Sequence, residues 1–217
     1  MRRLVLVVVL LLGLLAVADR MAALGAERIV AKRLQAAESL AVRPDVSIGG
    51  VPFLTQMARG RYDDVTVTVH DLRRGDLHIA MVRAHLTGVR VPFADVLRQH
   101  VGRVRVATAT AEILLTFADV NSLLAPKGVH LSAASGGQVH ASGTRSGSVG
   151  GVSSGATFSA DVPLDISGDS VIVRLPDGQT AEIPLPQMPF GIALLSARGT
   201  SEGITVVCSA HGLELVR

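Results

Sequence analysis

The chain has 217 residues, 48% hydrophobic and only 3% aromatic with no tryptophan, which points to one domain with an aliphatic core. Its 21 basic and 18 acidic side chains give +3, and without Arg2 and Arg3 the balance is 19 against 18. A nucleic-acid binder needs a concentrated basic face with stacking aromatics, and this composition sets that class aside. The single Cys208 excludes an intramolecular disulfide and makes no metal cluster; it reads as a small apolar residue in a strand over 204–208.

Met1-Arg2-Arg3 followed by apolar residues from Leu4 to Ala18 has the charge and hydropathy pattern of an export leader. Ala16-Val17-Ala18 offers an A-x-A cleavage site, so residues 1–18 read as a signal peptide or as an uncleaved N-terminal membrane anchor. Either way the remainder is exported to the cell envelope, secreted or held at the plasma membrane, with Arg2 and Arg3 inside. Residues 19–217 form the single expected domain, with a Gly/Ser-rich insertion near 135–155. From Asp19 to Val42 the chain reads as a helix, with Asp19 at its start and an apolar stripe of Ala23, Ala26, Val30, Leu34, Ala37 and Ala41. Arg43-Pro44 should end it, because the residue before a proline avoids helical geometry.

The stretch VSIGGVPFLTQMARGRYDDVTVTV, over 46–69, then organises the domain: a short strand, a Pro-Phe that opens a helical turn, a glycine break and an alternating strand. Pro-Phe recurs at Pro92-Phe93 and Pro189-Phe190, although the chain has nine prolines and five phenylalanines; chance predicts about 0.2 such pairs. Proline suits a helix start, and the ring beside it supplies an apolar anchor. Leu77 to Leu86 is apolar on both parities. Pro92 to His100 reads as a short helix, Arg103 to Phe117 as a long strand, and Ala118 to Ala125 as another short helix. Glycine and serine from Ser132 to Gly155 predict turns or a flap with fragmentary strands, and regular strands resume at Phe158.

Candidate chemistry is sparse. Gly151-Val152-Ser153-Ser154-Gly155 matches G-x-S-x-G, whose serine must stand on a sharp strand-to-helix turn, and His211 lies downstream. Ser153 and His211 are therefore the candidate catalytic residues. The seven histidines show no close metal-ligand spacing, and there is neither a dinucleotide fingerprint nor a P-loop, so no metal and no cofactor are expected. What remains is spatial. A leading helix, long aliphatic strands and Pro-Phe anchors suggest an α+β fold, a strongly curved antiparallel sheet wrapped around a long N-terminal helix. The apolar groove between them is expected at Val30, Leu34, Phe53, Leu54, Phe93, Leu97 and Phe190.

Asp19-Arg20, the block Val46-Ser47-Ile48-Gly49-Gly50-Val51-Pro52-Phe53-Leu54-Thr55-Gln56 and the strand from Tyr62 to Val69 resemble the LmeA-like family of actinobacterial envelope proteins. The resemblance covers nearly the whole chain after the leader. It implies a tubular lipid-binding type of fold and phospholipid binding in the envelope. The family's namesake is associated with phospholipase A activity and mannolipid maturation; no catalytic residue carries over by motif. The expected function is thus phospholipid binding or carrying, with phospholipid and the outer surface of the plasma membrane as partners. The alternatives are a phospholipase A on the same lipids and a structural envelope domain without a ligand.

Overall fold

The computed structural model describes residues 2–75, 77–91, 103–149, 152–176, 178–185 and 192–216. No proline interrupts residues 2–37, and the two glycines there, Gly13 and Gly25, are not enough to break the run. Accordingly α1 (Arg2–Ala37) is one continuous helix that passes through Asp19 rather than beginning there. It stops short of Val42 because Ser39 takes a left-handed conformation, φ 52°, that a helix does not continue through.

The chain continues through β1 (Asp45–Gly49), α2 (Phe53–Arg59), β2 (Arg61–Arg74), β3 (Leu77–Arg90) and β4 (Arg103–Thr116). Helix α3 (Phe117–Leu124) follows, and the Thr116 side chain caps it by accepting from the Asp119 N–H at 3.2 Å. Then come β5 (Val129–Ala133), β6 (Val139–Val149), β7 (Val152–Val162), β8 (Leu164–Ser167), β9 (Ser170–Arg174), β10 (Thr180–Pro184), β11 (Ala193–Gly199) and β12 (Gly203–Val216). The architecture is α+β. A six-stranded antiparallel sheet has the order β1-β2-β3-β4-β12-β11, and two three-stranded sheets have the orders β10-β9-β8 and β5-β6-β7.

The Gly/Ser-rich tract corrects the expectation of fragmentary strands. β6 and β7 pair without a break from Val139↔Val162 to Val149↔Val152. Low strand propensity is overridden by what the small residues permit: a side chain at Gly143 would run into the Gly128 carbonyl and the Phe158 ring. Ser153 lies inside β7, opposite Ser148, which removes the strand-to-helix turn that a nucleophile elbow needs. The expected helix at Pro92–His100 and the second and third Pro-Phe pairs fall outside the described residues.

The chain forms two compact units, and β2, β3, β4 and β12 each contribute residues to both. Unit 2 (70–82 and 110–209) holds a large aliphatic core that includes Ile79, Leu115, Val120, Leu131, Val173, Ile183, Ile204 and Cys208. A pocket among Met81, Glu112, Leu114 and Thr205 is about 190 Å³, below the ~300 Å³ at which small-molecule sites begin. Unit 1 (1–69, 83–109 and 210–217) has a thinner core built from Ala23, Ala31, Ile48, Phe53, Tyr62, Val89 and Val106. It also exposes large apolar residues on α1 that its own strands leave uncovered.

Candidate functional site

The site grows out of the junction of α1 with β1 and α2 in unit 1. Helix α2 begins after Pro52, whose peptide bond with Val51 is cis, and proline brings no side-chain acceptor for the unpaired N–H groups of the first turn. Asp19, half-way along α1, supplies it from outside: Oδ2 accepts from the Phe53 N–H at 2.9 Å and Oδ1 from the Leu54 N–H at 2.7 Å. The carboxylate is only 5% exposed, and two charge-assisted hydrogen bonds compensate that burial. Asp19 therefore caps α2, not its own helix.

Two turns further along α1, Glu27 Oε1 accepts from the Ile48 N–H of β1 at 2.8 Å. Asp19, Ala23, Glu27 and Ala31 stand four residues apart, a single row along a helix. The alanines in that row are buried, which brings the two backbones close enough for short carboxylates to reach main-chain donors. The sequence-predicted stripe shares only Ala23 with this row. Periodicity counts apolar residues, whereas half of the docking row is acidic.

Gln56 locks the other side of the joint. Its Nε2 donates to the Gly49 carbonyl at 3.1 Å, and its Oε1 accepts from the Asp63 N–H at 3.0 Å. Gly50 must be glycine twice over: its φ is +87°, and a Cβ there would collide with the Gln56 amide. Phe53 is 1% exposed and packs on Tyr62 with ring centroids 6.2 Å apart. Gly60 ends α2 in the left-handed conformation, its N–H turned back to Gln56 and Met57 carbonyls. Each specific residue of the Gly-x-Pro-Phe-Leu-Thr-Gln block except Leu and Thr thus has a structural task in the joint, and Val51 is left 82% exposed at its tip.

The predicted lipid contacts separate by burial. Val30 lies seven residues from Ala23, within roughly 20° of it around the helix. Ala23 is fully buried, yet Val30 is 41% exposed, so this side of α1 is open at Val30 although the adjoining docking row is sealed at both Ala23 and Ala31. Leu34 and Leu54 are half-buried, and Phe53 is buried. Phe93, Leu97 and Phe190 lie outside the described residues. Of the catalytic candidates, His211 is exposed on β12 in unit 1 and Ser153 belongs to unit 2. Sequence reasoning missed Asp19, Glu27 and Gln56 as joint residues. An acid or amide inside an otherwise apolar helical row was the available signal.

A family model for LmeA-like phospholipid-binding proteins matches residues 17–209. No curated protein and no solved structure matches the chain. With the match running from within α1 to the middle of β12, the chain belongs to the LmeA-like phospholipid-binding family.

Proposed function

We propose that the chain binds or carries phospholipid in the cell envelope, at the outer surface of the plasma membrane, with the first half of α1 as its membrane anchor. The observation that carries this reading is the opened face of α1. Val30 shares a face with a fully buried alanine but remains 41% exposed, in a unit whose own core is thin. An acyl chain laid along Val30 and Leu34 would cover that face, and its far end would run towards Leu54, which docks at Asp19 earlier on the same helix. Each buried methylene contributes about 0.8 kcal/mol, so even a partly enclosed chain would be held.

The anchor reading has its own support. Helix α1 is long and apolar enough to cross a membrane, and only 6% of its most apolar window is buried in protein. A core helix of that composition would be covered by its neighbours. The run from Leu4 to Ala18 rises only about 22 Å against a hydrocarbon thickness of about 30 Å. The outer interface would then reach Asp19, whose two oxygens are satisfied in place by the α2 amides, and the exposed Val51 and Met21. Lipid leaving the bilayer would meet the α1–α2 joint first.

The test is lipid analysis of the full chain purified in detergent from cell membranes. Phospholipid should copurify above the detergent blank, and Val30→Asp and Leu34→Asp should cut the bound lipid several-fold without lowering the melting temperature. No phospholipid above the blank, or an unchanged amount in both variants, would overturn the groove. Protease added outside intact spheroplasts should digest the domain but leave the leader, which separates the location from the binding.

A further inference from the structure

Three polar side chains share one face of the β6–β7 hairpin in unit 2. His140 stands directly opposite Asp161, and Ser142 opposite Ser159. Alternate residues of a strand point the same way, so Ser159 and Asp161 both flank the imidazole. His140 Nδ1 is 2.6 Å from Asp161 Oδ1, and His140 Nε2 is 2.9 Å from Ser159 Oγ. A carboxylate only accepts, so the neutral ring carries its proton on Nδ1, and Nε2 accepts from the Ser159 hydroxyl. Acid, base and hydroxyl are therefore connected in the order that activates a serine. Strand register builds this arrangement; the G-x-S-x-G match plays no part in it.

We propose that Ser159, His140 and Asp161 form a hydrolytic centre for carboxylic esters. Ser159 Oγ adds to the ester carbonyl carbon as its proton passes to His140 Nε2. The ester C–O bond then breaks, Nε2 returns that proton to the departing alcohol, and the acyl group stays on Ser159. A water, deprotonated by Nε2, attacks the acyl carbon, releases the carboxylic acid and restores the Ser159 hydroxyl. Asp161 stays ionised and holds the ring while it is cationic.

β7 is the outer strand of its described sheet, so every second N–H along it points away from β6. An open depression of about 530 Å³ is lined in part by Ser142 and Thr157, which share the face of Ser159. His140 and Asp161 are both more than a third exposed, and so open a centre suits an ester better than an amide, whose poorer leaving group demands tighter oxyanion binding.

This activity goes beyond lipid binding, since carrying needs no nucleophile. The full chain in detergent is treated with a fluorophosphonate probe, its labelled peptide is mapped, and p-nitrophenyl butyrate hydrolysis is followed. The probe should mark Ser159. Ser159→Ala and His140→Ala should each lower hydrolysis about a thousandfold, while Ser153→Ala leaves it unchanged. Labelling elsewhere, hydrolysis no faster than buffer, or full activity in Ser159→Ala would overturn the proposal. Label mapping on the unmodified chain keeps the result decisive if a variant misfolds. Fatty-acid release from phospholipid vesicles, dependent on Ser159, would identify the lipid's own ester as a substrate; turnover of the soluble ester alone would identify a small-ester hydrolase. Because the probe and the soluble ester need no lipid groove, failure here and failure of lipid binding are read separately.

Discussion

Removing the Asp19 carboxylate tests the joint on which the binding face depends. Its two oxygens accept from the Phe53 and Leu54 N–H groups at 2.9 and 2.7 Å. Hydrogen bonds to a charged group contribute about 1.5–3 kcal/mol each, and Asp19→Ala leaves the Phe53 donor buried without a partner. The two losses are not additive, because one docking event makes both bonds, so about 3 kcal/mol is expected for opening the α1–α2 contact. That corresponds to roughly a hundredfold rise in amide exchange. Hydrogen exchange followed by mass spectrometry on the full chain in detergent should show it in peptides spanning 53–56, while β9 and β10 in unit 2 stay protected. Asp19→Asn keeps one acceptor without the charge and should fall between, near tenfold. Exchange at the wild-type rate in Asp19→Ala would refute the capping argument.

Phe53→Ala empties a site that is closed by Tyr62 and should destabilise by about 3–5 kcal/mol in urea denaturation; a loss below 1 kcal/mol would mean the ring is not an anchor. Gly143→Ala should lower stability by more than the ~1 kcal/mol of an ordinary glycine replacement and slow pairing of the β6–β7 hairpin, because its methyl group meets the Gly128 carbonyl and the Phe158 ring. Burial pushes the Cys208 thiol up from 9.0 to about 11. Between those values the unfolded chain has released a proton that the folded chain retains. Stability should be flat below pH 9 and fall as pH rises towards 11. Tyr62, also raised by burial, acts in the same direction, so the share due to the thiol is the part of the slope that Cys208→Ala removes. Cys208 should also resist thiol reagents until the chain unfolds.

Much of the architecture was legible in the residues. The strand-turn-helix-strand order around Pro52-Phe53, the run from Arg103 and the short helix near 118–124 all follow from local patterns of period and punctuation, and they stand where expected. Helix ends and the Gly/Ser tract were not legible, for one reason: propensity is a property of a segment, and its outcome depends on the partner. β6 and β7 are poor strands alone and regular ones when paired, since small residues are what their neighbours leave room for.

By itself the sequence determined the α+β class, an apolar N-terminal segment, an aliphatic interior and the family, because each rests on composition or on contiguous residues. Tertiary structure alone decided that Asp19 caps a helix more than thirty positions away, that Val30 stays open while Ala23 closes, and that His140 meets Asp161 and Ser159 across a hairpin. Those are distances between residues remote in the chain. Register and docking set them, and no local pattern of hydropathy records either one.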